Sequence, residues 1–355
     1  MMVLGLDDLF WATIALIFLV TLAGALIRRV RRDECLRLFH DSHVTVLLPG
    51  RPALWGDMFV HSQGGHVVFD SAAGGPGLLA KSGALVYAEE LVQMVAVCRT
   101  RFGLTDDELA ARERQLRRRV APPVWRRAVR AAGNLVNLVR DAIVNTLGLL
   151  VGRITGKSPV AAAVKAQSGR LSELGGSLVD VVANAYEPLL ERLIGKPVVL
   201  ELRLPDGAPV PVMEFGGYLA EYNERFVAIL NPEQELGEVF ELASTESVED
   251  RGCRLEAGPD TVTVACTGDR AVVVRRIQAG EAEIDVGAVL LPGHRLSLRR
   301  PGPGTVRIQA FHTGRLDLVC PRARARVRFS GDAGRRVRRS WKGAAPELDS
   351  MEDLI

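Results

Sequence analysis

At 355 residues, with 48% hydrophobic and 25% charged side chains, the chain holds enough apolar material to bury cores in two or three folded modules. Its 45 basic and 42 acidic residues leave a net charge of +3, which excludes overall charge as an argument for a polyanionic partner and leaves only local clusters. The five cysteines, Cys35, Cys98, Cys253, Cys266 and Cys320, are odd in number, widely spaced and free of any CxxC pair. That pattern speaks against a disulfide framework or a zinc module and for a reducing compartment.

The stretch "LFWATIALIFLVTLAGALI", residues 9–27, carries no charge. About 19 helical residues at about 1.5 Å each nearly cross a hydrocarbon core of about 30 Å, so a transmembrane helix is predicted. Residues 1–8 include Asp7 and Asp8, whereas Arg28, Arg29, Arg31 and Arg32 follow the span. The positive-inside bias then predicts an inner-membrane, single-pass protein with its N-terminus outside and its body cytoplasmic. A cleaved signal peptide fits less well, because its n-region would be acidic.

Residues 28–100 are expected to form a first small β module with a flanking helix. Within it, "HVTVLLPGRPALWGDMFVHSQGGHVVFD" alternates apolar and polar residues between turns at Pro49-Gly50 and Gly64-Gly65. Cys35, His40, His43, His61 and His66 gather here. Alternate strand residues point to opposite faces, so the histidines are read as surface and turn residues and no metal site is assigned.

Residues 101–195 change to a helical rhythm. Thr105 and Glu108 form a capping box ahead of "LAARERQLRRRV". The arginines from Arg112 to Arg130 continue this run, and Arg117, Arg118, Arg119, Arg126, Arg127 and Arg130 are expected to face anionic lipid. Further on, Asn134, Asn137, Arg140, Asp141 and Asn145 make a narrow polar stripe on a helix that is otherwise apolar. Such a helix needs burial, and residues 170–195, with leucines at three- and four-residue spacing, offer a partner. An amphipathic hairpin packing in an oligomeric or membrane-proximal bundle is the expectation. "GRITGKS" is one residue short of a phosphate-binding loop and follows a helix rather than a strand.

Residues 196–232 repeat the outline of the first β module, with a turn at Pro205-Asp206-Gly207 and a closing "RFVAIL". Both modules resemble the small, strongly bent SH3-like or Sm-like sheets, a likeness of fold alone. Residues 233–252 read as an acidic linker. From 253 to 332, seven short alternating runs, from "TVTVAC" to "ARVRF", predict a β-sandwich. Residues 333–355 are expected to be a disordered tail.

The fold class expected is therefore a membrane-anchored multidomain α+β protein: one N-terminal transmembrane helix, small SH3/Sm-like β modules, an amphipathic helical hairpin and a C-terminal β-sandwich. No catalytic motif, cofactor site or metal site is legible. The expected function is that of a non-enzymatic, single-pass membrane-anchored scaffold or assembly protein that self-associates as a homo-oligomer. Membrane lipid, and protein partners bound through the β-sandwich or tail, complete the expected contacts. No nucleic acid is expected. Two other classes compete: a gating or transport component whose polar stripe lines a path between subunits, and a membrane-tethered sensor of a ligand.

Overall fold

The computed structural model describes residues 34–61, 64–73, 81–120 and 187–330. In chain order a first unit comprises α1 (Glu34–Arg37), β1 (His43–Leu47), β2 (Leu54–His61), β3 (Gly64–Ala73), β4 (Lys81–Tyr87), α2 (Ala88–Gln93) and β5 (Ala96–Arg99). A single turn of 3-10 helix, Arg101–Gly103, leads into α3 (Asp106–Val120). After the undescribed stretch come α4 (Pro188–Leu193), β6 (Pro197–Arg203), β7 (Val212–Tyr222) and β8 (Phe226–Leu230). Eight strands follow: β9 (Val239–Ser244), β10 (Ser247–Asp250), β11 (Cys253–Ala257), β12 (Thr261–Cys266), β13 (Ala271–Ala279), β14 (Ala282–Leu290), β15 (Arg295–Arg299) and β16 (Val306–Thr313). The chain then returns through β17 (Asp317–Pro321) and β18 (Ala325–Ser330).

Ten strands make one sheet in the order β18-β6-β7-β8-β17-β5-β1-β2-β3-β4, and its pairings are antiparallel. The other eight form two four-stranded antiparallel sheets, β10-β11-β12-β15 and β14-β13-β16-β9. Alternation builds the latter pair: β12 buries every second residue, so Val262, Val264 and Cys266 enter the core while the threonines stay half-exposed. β1 is different. All five of its residues are buried, because the ten-stranded sheet is covered on both faces there.

One core runs from the two four-stranded sheets into the inner faces of β6, β7 and β8, with Leu200, Phe215, Val264, Val289 and Phe311 among its members. A second joins β1 to β4 with α1 and α3, through Cys35, Phe39, Met58, Val67 and Leu116. The first unit is bolted to the inserted sheets by Thr45, whose Oγ1 accepts from Val289 N–H at 2.9 Å, and by Ala53 N–H, which donates to Arg295 O at 2.7 Å. Phe102 meets Phe311 edge-on at 5.0 Å between centroids. This approach requires glycine: a Cβ on Gly287, at φ +60°, would lie 2.6 Å from Gly103 Cα.

The expected fold class needs correction. The described chain is chiefly antiparallel sheet, and the two small β modules are not separate domains, since their strands share one sheet. Nor does the sandwich occupy 253–332. Two of its strands, β9 and β10, lie in the stretch read as an acidic linker, while "LDLVC" and "ARVRF" leave it to become β17 and β18. Alternation marks a strand but carries no information on which sheet will take it.

The single-pass inner-membrane placement is also not supported. Among the described residues no helix is long and apolar enough to cross a membrane. The longest, α3, has 15 residues rich in Arg, Asp and Glu, and reaches only about 22 Å at about 1.5 Å per residue. The predicted span 9–27, with Arg28, Arg29, Arg31 and Arg32, lies outside the described residues, as do the amphipathic hairpin up to residue 186 and the tail from 331.

Candidate interaction surface

The ten-stranded sheet is held at its centre by a short joint. β17 meets β5 through Asp317↔Arg99, Leu318↔Cys98 and Val319↔Val97. Asp317 is fully buried and both its oxygens are saturated. Oδ2 accepts from Arg99 Nε at 3.1 Å and Arg112 Nε at 2.7 Å, while Oδ1 accepts from Arg112 Nη2 at 3.0 Å, Asn231 N–H at 2.9 Å and Gln234 Nε2 at 3.1 Å. Arg99 spends further donors on Leu38 O, Ser42 Oγ and Gln115 Oε1, and its guanidinium lies 4.5 Å from the Phe39 ring centroid.

Burial by itself drives the Asp317 carboxyl upward. The guanidinium groups of Arg112 and Arg99, with the Asn231 N–H, outweigh it and hold the acid below the usual aspartate range. Burial pulls the Arg99 guanidinium down, against the opposing pull of Asp317. Two cations share one anion, and the cluster locks β5, β17 and α3 together. α3 delivers Arg112 because its N-terminus is pinned: Glu108 Oε2 accepts from Thr105 N–H and hydroxyl, both at 2.8 Å, and Glu108 Oε1 accepts from His43 N–H at 2.8 Å.

β4 and β18 each have a strand neighbour on one side only among the described residues. Leu85 (63% exposed) and Tyr87 (59%) sit on β4, Phe329 (56%) on β18, and Leu189 (70%) on α4, where the N-cap Glu187 and Glu191 meet Tyr222 at the end of β7. A strand edge with large exposed apolar side chains is a template for another chain.

The residues singled out from the sequence lie elsewhere. Asn134, Asn137, Arg140, Asp141, Asn145, Arg126, Arg127 and Arg130 are outside the described residues. Arg117 is exposed and lies 3.7 Å from Glu113, and Arg118 is exposed. Arg119 turns inward, 2.6 Å from the buried Glu221 and 4.0 Å from Glu34. Arg112, read as part of the same basic run, is 5% exposed and belongs to the lock. His40 Nδ1 accepts from Val60 N–H, and among the described residues no group of three or more His, Cys, Asp or Glu could hold a metal ion.

No family model, curated protein or solved structure matches the chain. Its function must therefore be argued from geometry. A cleft of about 350 Å³ is lined by Pro259, Asp260, Arg299, Arg300 and Gly302–Gly304, and the Arg300 guanidinium in it donates to the carbonyls of Gly258, Gly302 and Gly304. Cys253 and Cys266 face each other across β11 and β12, but burial pushes both thiols up to about 12, so neither is a nucleophile near neutrality. Sequence reading passed over Arg99, Asp317, Asn231 and Gln234. The available signal was a charge inside an apolar run, in "AVCRT" and "LDLVC".

Proposed function

We propose that the protein is a non-enzymatic assembly component that works by self-association. The observation that carries this reading is the pair of open sheet edges furnished with exposed Leu85, Tyr87 and Phe329. Supporting it, the fully buried acid Asp317 and the buried base Arg99 are saturated by structural partners and have no bonding capacity left for a substrate. Membrane anchorage plays no part in the reading. Sedimentation of the full chain over a hundredfold range of concentration tests it: species larger than one chain should grow with concentration. A single species of one chain mass throughout would overturn the reading.

A further inference from the structure

The ten-stranded sheet is the same five-stranded unit used twice. In the first unit the order is β5-β1-β2-β3-β4; in the second it is β18-β6-β7-β8-β17, again last strand, first, second, third, fourth. Pair by pair, His43↔Asp57 corresponds to Pro197↔Tyr218, Met58↔Val67 to Leu219↔Ile229, and Val67↔Ala84 to Ile229↔Leu318. Likewise Thr45↔Cys98 corresponds to Val199↔Phe329. Each unit is preceded by a short helix, α1 or α4, and Cys35 and Leu189 stand the same distance before their first strands. Leu36 and Leu190, one residue on, are both buried.

The joint inside the chain unites the fourth strand of one unit, β17, with the last strand of the other, β5. The strands left over at the two ends are a fourth strand, β4, and a last strand, β18. We infer that β4 of one copy pairs antiparallel with β18 of a second copy of this chain, repeating between molecules the joint the chain already makes within itself. This rests on the self-association proposed above and names the surfaces that carry it.

Three observations support the match. Leu85 occupies the place of Val319, which is 0% exposed at the internal joint, and Leu189 that of Cys35, also 0% exposed. Both internal residues belong to one core in which α1 packs on β7 and β8 while α2 packs on β17, and Cys35 Sγ donates to Phe226 O at 3.7 Å. At the free ends the corresponding residues are still apolar, yet exposed, as expected of positions that a second copy is to cover. Transposed register sets Ala84 opposite Phe329, small against large, in place of Leu318 opposite Cys98. The charge lock is not repeated: Asp317↔Arg99 becomes Gly83 opposite Ser330, so the outer joint needs no desolvated ion pair. Such a contact joins unlike surfaces, and copies added by it close into a ring or extend as a filament.

The test uses the full chain with Leu85→Arg or Phe329→Arg, both exposed positions, with melting curves confirming native folding. Each variant alone should sediment as one chain, because every joint needs an intact β4 and an intact β18. Mixed in equal amounts they should give a species of twice the chain mass and nothing larger, since one good joint remains. If either variant alone still associates as wild type does, or the mixture stays at one chain mass, the pairing is wrong although self-association survives. Wild type that never exceeds one chain mass sinks the assembly reading itself.

Discussion

Asp317 shows how much one side chain is asked to hold. It balances Arg99 and Arg112, both nearly inaccessible, and ties β17 to β5, α3 and the loop at Asn231. Removing the carboxylate leaves two buried cations without a counter-charge, a change that costs about 3–5 kcal/mol. Asp317→Asn should therefore lower the denaturant midpoint by that equivalent near neutral pH. Its folded pKa is depressed, so the stabilisation is present above the ordinary aspartate value of about 3.9 and is lost as pH falls through the lower folded value. The gap between wild type and Asp317→Asn should accordingly close under strong acid, as urea titrations at several pH values would show. His294 contributes a separate slope. Burial holds its imidazole below the usual value, so the unfolded chain binds the extra proton first and stability falls as pH drops through about 6.5. His294→Gln should flatten the stability profile between about pH 7 and pH 5.

At the scale of the element, α3 is started by a Thr105–Glu108 link in which Glu108 accepts from the Thr105 N–H and hydroxyl, and that also serves as a tertiary contact through His43 N–H. Asp106, Asp107 and Glu108 occupy its first turn and Arg117, Arg118 and Arg119 its last, each sign matched to the helix dipole. Thr105→Ala removes one hydroxyl contact to Glu108 and should cost on the order of 1 kcal/mol. Glu108→Ala should cost more, because His43 N–H at the start of β1 loses its acceptor as well. Thermal melts of the two variants would rank them, and equal shifts would show that the link to β1 carries no weight.

For the molecule as a whole, the inserted strands β9–β16 interrupt the second unit between β8 and β17. β17 and β18 can pair with β8 and β6 only after the chain has closed that long loop. Refolding should be slow, in the millisecond-to-second range or beyond, as for other sheets built from distant pairings. Asp317→Asn should slow refolding little and speed unfolding if the central joint closes last, which stopped-flow rates in both directions would reveal.

The Thr105–Glu108 link at the start of α3, the alternation of β12 and the similar outline of residues 43–70 and 197–230 depend on neighbours a few positions apart, and were legible in the sequence. Arg112 could not be read correctly: within "RERQLRRRV" it is one arginine of many, and only the arrival of Asp317, more than two hundred residues later, separates it from Arg117 and Arg118. The open edges were equally hidden, because Leu85 and Phe329 sit in strand patterns no different from those of buried Val319 and Cys98. Periodicity and caps are short-range physics written into the chain. Which strands become neighbours, which charges meet and which edges stay open are settled by long-range packing, where two cores must be filled at once and each strand takes the place that buries it best.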